Sequence, residues 1–342
     1  MIRVLIVDDS ATARGLLAAI FAADPEFVVV GEAADGRAGV DLTRKLRPDV
    51  VTMDVRMPRM DGFEATKEIM IETPTPIVII TASRSARDVD ASMNALRAGA
   101  LAIIAKPAGP AAPGFDEEAR QLLAQVKAMS HVKVVRHWRP ARESARPAAS
   151  AAPRHARMRV VAVAASTGGP AALAAVLTRL PADFPAPILV VQHITPGFVA
   201  GLAEWLNKAG PLRVKLAEAG EALKGRTVYF APDDRHLGVS AAGRVVLADE
   251  PPVGGFRPSG TPLFEAVAKA FGPAAVAVIL TGMGDDGVAG LRAVRQAGGH
   301  ILAQDEKSSV IFGMPGAAVA AGLADAVLSV EEIASRLTEF VA

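Results

Sequence analysis

Short apolar runs alternate with stretches of helical spacing along the first third of the chain. Residues 4–7 lead to a helix over 11–22, 28–30 to one over 37–46, and 50–53 to one over 62–70. Residues 77–80 then lead to a helix over 92–98, and 101–105 to one over 115–129. Apolar runs this short and uninterrupted read as strands buried on both faces. Their alternation with helices predicts a doubly wound parallel sheet. Ser10 stands where the helix over 11–22 needs an N-cap. Polar residues punctuate the strand ends: Asp8 and Asp9, Asp54, Thr81 and Lys106.

The pattern lapses over 131–159 and then resumes. Strands are expected over 159–163, 188–192, 227–230, 275–280 (the longest), 301–303 and 326–328. Helices are expected over 171–180, 198–208, 263–271 and 288–296, with a last one after 328. Residues 237–240 and 244–247 flank Ala241-Ala242-Gly243 and read as a hairpin. This is a second α/β domain. Between the two, Pro140, Pro147 and Pro153 interrupt an Ala- and Ser-rich segment with eight basic residues against Glu143. It reads as a solvated, extended linker, with enough charge for weak docking on an acidic partner. The expected boundaries are a domain over 1–130, a linker over 131–157 and a domain over 158–342.

A chain of 342 residues suits two domains. With 51% apolar and 21% charged residues it is globular, not disordered. A net charge of +1 gives no overall reason to expect nucleic acid. No helix-turn-helix pattern follows the first domain. The absence of Cys removes disulfides, thiolate metal sites and a Cys nucleophile, and suits a reducing compartment. The chain opens on a strand followed by acidic residues, unlike a signal peptide. No apolar stretch approaches the ~18 residues needed to span a bilayer. The expectation is a cytoplasmic protein without membrane insertion, with a monomer as the default.

The strand ends carry the chemistry, because ligands of doubly wound sheets bind outside the carboxyl ends of the strands. Asp8, Asp9 and Asp54 together would repel one another unless a cation resides there. Oxygen ligands without His or Cys suggest Mg²⁺. A carboxylate beside such an ion can attack a phosphoryl group and become an aspartyl phosphate, with Thr81 and Lys106 holding phosphoryl oxygens. An acidic surface with an ordinary ion pair to Lys106 is the plainer alternative.

In the second domain, Ser166 lies between a strand and a helix in Ala164-Ala165-Ser166-Thr167-Gly168-Gly169-Pro170. A hydroxyl there can act as a nucleophile, and amides there can hold an oxyanion. Helix capping alone is the plainer reading. Strand ends also offer His193 and an Asp at 285 or 286, which completes the roles of nucleophile, base and base-orienting carboxylate. His236 and His300 rival His193, but neither sits at the end of a strand on the expected active edge. A competing motif is Gly282-x-Gly284-x-x-Gly287, with Asp305 beyond the next strand, a formal dinucleotide fingerprint. Asp285 and Asp286 would oppose a pyrophosphate there.

Two resemblances bear on these alternatives. Asp8-Asp9, Asp54 with Met57-Pro58 and Asp61-Gly62, Thr81-Ala82 and Lys106-Pro107 make residues 1–130 similar to the response-regulator receiver domain, a flavodoxin-like (βα)5 fold. The resemblance implies that Asp54 accepts the phosphoryl group, from a chemotaxis histidine kinase. It also implies that Asp8, Asp9, Asp54 and the backbone carbonyl of Arg56 surround Mg²⁺. Ile103 stands where that family usually has an aromatic switch residue.

Residues 158–340 resemble the chemotaxis-type protein-glutamate methylesterase. The motifs are 165–170, Gln192-His193 with Pro196-Gly197-Phe198, Ala231-Pro232, Asp234-Arg235-His236-Leu237, Arg257-Pro258-Ser259, 280–287, 303–306 and Gly313-Met314-Pro315. The resemblance implies a Rossmann-like domain with Ser166 as nucleophile, His193 as base and Asp286 as orienting carboxylate. It implies backbone amides of Thr167 and Met283 as the oxyanion site, and no cofactor for the ester chemistry. The implied substrates are glutamate methyl esters, and glutamine amides, of methyl-accepting chemotaxis receptors. In that family the receiver covers the catalytic cleft until it is phosphorylated. Gly260-Thr261 departs from the family's apolar residue and Asp. A phospho-switched binding module without catalysis is the alternative from another class.

Overall fold

A computed structural model of the chain describes residues 1–82, 86–132, 134 and 160–341, which fall into two compact units, Met1–Arg146 and Pro147–Ala342. Most of the segment expected to be the linker lies outside the described residues.

In the first unit, strands β1 (Ile2–Val7), β2 (Phe27–Ala33), β3 (Val50–Met53), β4 (Ile77–Thr81) and β5 (Ala102–Ala105) form one parallel sheet in the order β2-β1-β3-β4-β5. Helices α1 (Ala11–Ala22), α2 (Gly36–Leu46), α3 (Gly62–Glu72), α4 (Ala86–Ala98) and α5 (Phe115–Ser130) connect and flank it. All four residues of β3 and all five of β4 are buried. This is why these strands read as continuous apolar runs rather than alternating ones. Ser10 caps α1, accepting the Ala13 amide at 3.3 Å. Asp61 and Glu64 form a reciprocal capping box that starts α3 just past Asp54.

The second unit is built on seven strands: β6 (Val160–Ala165), β7 (Ile188–Gln192), β8 (Arg213–Leu216), β9 (Thr227–Phe230), β12 (Ala275–Ile279), β13 (His300–Gln304) and β14 (Ala326–Leu328). They pair in parallel in the order β14-β13-β12-β6-β7-β9-β8. A separate antiparallel hairpin holds β10 (His236–Val239) and β11 (Val245–Ala248). The helices are α6 (Gly169–Leu177), α7 (Val199–Ala209), α8 (Gly260–Phe271), α9 (Val288–Gln296), α10 (Met314–Ala320) and α11 (Val330–Val341). Central β6 is wholly buried and, at six residues, is longer than β12, reversing the expectation that 275–280 is the longest strand. A core of Leu189, Tyr229, Leu263, Phe264, Val267, Leu291 and Ile301 covers one face of the sheet. Fully burying such side chains contributes about 1.5–3 kcal/mol each.

The chain runs from β6 outward through β7 to β9 and then returns to β12 on the other side. The strand order therefore reverses at β6, the place where a doubly wound sheet opens a crevice. Both units are α/β with parallel main sheets, as the patterning requires. The unexpected elements are β8, α10 and the first six residues of α4. Helix α6 begins two residues earlier and ends three earlier than its spacing suggests.

Candidate functional site

The ends of β6, β7 and β12 converge through register. Ala165 pairs with Gln192, and the His193 amide donates to Ala165 O at 2.9 Å. That sets Ser166 and His193 side by side as the two chains leave the sheet. On the other flank the Ser166 amide donates to Thr281 O at 3.0 Å. The amide of Ser166 is thereby used, whereas the next residue, Thr167, begins the turn into α6. Gly282 lies directly beneath Ser166. A Cβ on Gly282 would sit 2.7 Å from Ser166 Cβ and closer still to Met314 Sδ, so only glycine permits this approach. The segment around Phe312 fastens the same turn: Gly282 N donates to Ile311 O at 3.0 Å, and Met314 N donates to Gly282 O at 2.8 Å. Met283 follows, one residue beyond the floor of Ser166.

His193 Nε2 stands 2.9 Å from Asp286 Oδ2. Both ring nitrogens are buried and neither has a hydrogen-bond partner among the described residues, the Nε2–Asp286 approach being a charge contact, so Nδ1, on the side away from Asp286, is not committed to another group. Asp286 is 8% exposed and is gripped from the start of α8. Ser259 Oγ donates to Oδ1 at 2.5 Å, the Gly260 amide to Oδ2 at 2.7 Å, and Thr261 Oγ1 to Oδ1 at 3.4 Å. Burial works to raise the Asp286 carboxyl. The hydrogen bond and charge of His193, with Ser259 and the Gly260 amide, outweigh it and hold the group below the ordinary aspartate value. The N-terminus of α8 adds its positive end to the same effect. Asp286 stays an anion and acceptor, as a base-orienting carboxylate must.

The structure separates the rival residues. Asp285 is exposed, and Asp286 is the carboxylate at His193. His236 is buried at the start of β10, where its ring joins two backbone positions: Ser259 N donates to Nδ1 at 3.3 Å, and Nε2 lies 3.1 Å from Pro251 O. His300 begins β13 and tilts against Phe340. Asp305 closes its own loop by accepting from Ser308 N and Oγ, so its carboxylate is engaged locally rather than presented to a ribose.

Two sets of residues that stand in the sequence motifs have supporting roles the sequence did not assign. Gln192, 3% exposed, donates through Nε2 to Ser166 O at 2.7 Å and His193 O at 2.8 Å, tying both strand ends with one amide. A Gln closing an otherwise apolar strand was the available signal. The Ser259-Gly260-Thr261 grip on Asp286 could have been found from a helix-capping Ser before an apolar run.

In the first unit, carboxylate oxygens of Asp8, Asp9 and Asp54 all lie within 4.8 Å of one another. Asp8 and Asp54 are buried and Asp9 is exposed. Lys106 Nζ bridges Asp8 Oδ2 at 2.6 Å and Asp54 Oδ1 at 2.9 Å. The Lys106 amide donates to Thr81 O at 2.9 Å, so Thr81 and Lys106 leave the sheet together. Arg56 lies two residues beyond Asp54 in the connection to α3. Burial, the largest influence on Asp54, raises its carboxyl above the ordinary aspartate value, against the pull of Lys106. Burial opposes the Lys106 ammonium, but Asp8 and Asp54 together raise its pKa. Three carboxylates against one ammonium leave negative charge uncompensated, an all-oxygen donor set suited to a hard divalent cation such as Mg²⁺.

Comparison with known proteins covers nearly the whole chain. The CheB methylesterase family matches residues 161–337, and the response regulator receiver domain matches residues 4–112. A protein-glutamate methylesterase/protein-glutamine glutaminase of Myxococcus xanthus is 56% identical, over 98% of this chain and 96% of that protein. One from Anaeromyxobacter dehalogenans is 59% identical, over 98% of each. Among solved structures, the CheB methylesterase catalytic domain of Thermotoga maritima is 41% identical with a TM-score of 0.53, covering 54% of this chain and all of that one.

Proposed function

The chain belongs to the CheB methylesterase family and carries a response regulator receiver domain, and from that premise we propose that it is a phosphorylation-activated serine esterase. Its substrates are glutamate methyl esters on methyl-accepting chemotaxis receptors, and it deamidates receptor glutamines by the same chemistry. The observation that carries this reading is the buried His193–Asp286 pair at 2.9 Å, beside Ser166 at the reversal point of the sheet. Nothing in that arrangement favours a binding module without catalysis.

Ser166 Oγ attacks the ester carbonyl carbon, and its proton passes to His193 Nδ1. Asp286 stabilises the imidazolium that forms. The amides of Thr167 and Met283 hold the carbonyl oxygen as it becomes an anion, an effect worth about 3 kcal/mol per donor in related chemistry. The tetrahedral intermediate collapses, and methanol leaves with the proton from His193. Water, deprotonated by His193, then attacks the acyl-Ser166, releasing the glutamate carboxylate and restoring the serine hydroxyl. With a glutamine, ammonia leaves in place of methanol.

In the receiver, Asp54 accepts a phosphoryl group from a chemotaxis histidine kinase. Asp8, Asp9, Asp54 and the Arg56 carbonyl would hold Mg²⁺, which when bound offsets charge on the phosphoryl oxygens. Lys106 and Thr81 hold those oxygens. Domains over 1–130 and 158–342, joined by a basic linker over 131–157, act in the cytoplasm as a monomer. No helix among the described residues is long and apolar enough to cross a membrane.

The test is methanol release from methylated receptor, with and without a small-molecule phosphoryl donor. Wild type should release methanol faster with the donor, Ser166→Ala should release none, and Asp54→Asn should ignore the donor. Turnover by Ser166→Ala near the wild-type rate would refute the assignment.

A further inference from the structure

The imidazole of His193 is stacked on Phe256, with ring centroids 4.0 Å apart and planes within 3° of parallel. We propose that Phe256 is a positioning residue for the esterase reaction: it fixes the plane of the His193 ring and shields one face of it from water. The proposal rests on the reading of His193 as the general base.

Phe256 is 37% exposed, far more than core aromatic residues such as Phe264 or Phe230, so burial in the core does not account for its place. Its backbone is set by a two-residue turn in which Val253 and Phe256 exchange amide hydrogen bonds, each 3.0 Å. The turn residues Gly254 and Gly255 have φ of 59° and 86°, a pair of left-handed conformations that only glycine takes at little cost. The segment carrying the turn is clasped at both ends. His236 receives the Ser259 amide and lies 3.1 Å from Pro251 O. Arg257 pairs with Asp234 at 2.6 Å and donates to the carbonyls of Asp249 and Glu250. The same clasped segment thus delivers Phe256 to one face of His193 and Ser259 to the carboxylate at its edge. Nine residues, 251–259, support two of the three groups.

A physical need for such a support is visible at His193. Asp286 Oδ2 approaches only the edge of its ring, 2.9 Å from Nε2, and neither ring nitrogen has a hydrogen-bond partner among the described residues. An edge contact at one nitrogen leaves the ring free to swing about that contact. A parallel aromatic face removes this freedom. Once His193 carries the serine proton, its ring is a cation over the Phe256 π-face, an attraction that grows as the reaction proceeds. An interaction stronger in the transition state than in the ground state raises kcat rather than lowering KM.

The experiment compares full-length wild type with Phe256→Leu, Phe256→Tyr, Val327→Ser (an exposed residue of the edge strand β14) and Ser166→Ala, all phosphoryl-activated. Each is assayed on methylated receptor and on p-nitrophenyl acetate, a small ester that needs no receptor docking. The expected result is a fall in kcat of about three- to tenfold for Phe256→Leu on both substrates, with KM unchanged. Phe256→Tyr should restore the rate, Val327→Ser should match wild type, and unfolding midpoints should agree. Any of three outcomes overturns the proposal: Phe256→Leu within error of wild type, Phe256→Tyr as impaired as Phe256→Leu, or a loss confined to the receptor or to KM. The last would make Phe256 a substrate contact. Retained activity in Ser166→Ala would instead overturn the esterase assignment, so the two failures are distinguishable.

Discussion

Asp286 shows how much of the site rests on one buried charge. Its oxygens receive two strong hydrogen bonds from the start of α8 and face His193, and the result is a carboxyl held below its ordinary value. A carboxyl depressed in the folded state stabilises the fold fully above its unfolded value. That stabilisation is lost as the pH falls through the folded value. Asp286→Asn keeps the shape but turns an amide donor toward either the Gly260 N–H or the Ser259 hydroxyl. We expect it to destabilise the catalytic unit by about 2 kcal/mol at neutral pH. The gap to wild type should hold between pH 7 and pH 5 and close below about pH 4. Urea unfolding, followed by hydrogen exchange on β6 and β12, measures it. A gap that widens in acid would mean that the carboxyl is protonated in the folded protein.

At the scale of elements, the site depends on how closely α8 can approach β6. Gly260 opens that helix, and a Cβ there would stand 2.7 Å from Ala164 Cβ and 3.3 Å from Asp286 Oδ2. Gly260→Val should therefore push the first turn of α8 off the sheet and pull Ser259 and the Gly260 amide from Asp286. The expected cost is about 1–3 kcal/mol in stability, with kcat lowered and KM on the small ester little changed. An unaltered kcat would show that the grip on Asp286 tolerates displacement. The strands that build the site were legible because they are buried on both faces and carry uninterrupted apolar runs, β6 and β7 above all. Strand β8 was not, since Arg213-Val214-Lys215-Leu216 alternates at the sheet edge, where only one face needs to be apolar. Helix α10 was missed because its Gly313-Met314-Pro315 start reads as a loop motif, although Pro is favoured in a first helical turn. The positions of Ser166, His193 and Asp286 at strand ends were readable from pattern. Which Asp faces His193 came from the family resemblance, which pointed to Asp286, and not from pattern, because burial of 286 and exposure of 285 depend on how the turn after β12 meets α8. Phe256 lacked a signature of its own, since ring stacking is fixed by tertiary contacts alone, and Gln192 offered only the weak signal of an amide closing an apolar strand.

At the scale of the whole molecule, each unit has its own sheet, and the groups proposed to react in each lie within that unit alone. Asp8, Asp9, Asp54 and Lys106 belong to the first, and Ser166, His193 and Asp286 to the second. On the proposed reading, phosphorylation of Asp54 supplies no group to the ester chemistry and acts by changing how often the second site is open to substrate. That is a shift between populations, and its ceiling is the rate of the catalytic unit when unrestrained. A fragment over 158–342 should then hydrolyse receptor methyl esters faster than the unphosphorylated full chain, and no slower than the phosphorylated one. The ratio of fragment to unphosphorylated rate would give the restrained fraction directly: a tenfold ratio corresponds to about 1.4 kcal/mol in favour of the restrained state. A fragment no faster than the unphosphorylated chain would mean that the receiver does not restrain the esterase. A phosphorylated chain much faster than the fragment would mean that the receiver contributes to substrate binding or catalysis itself.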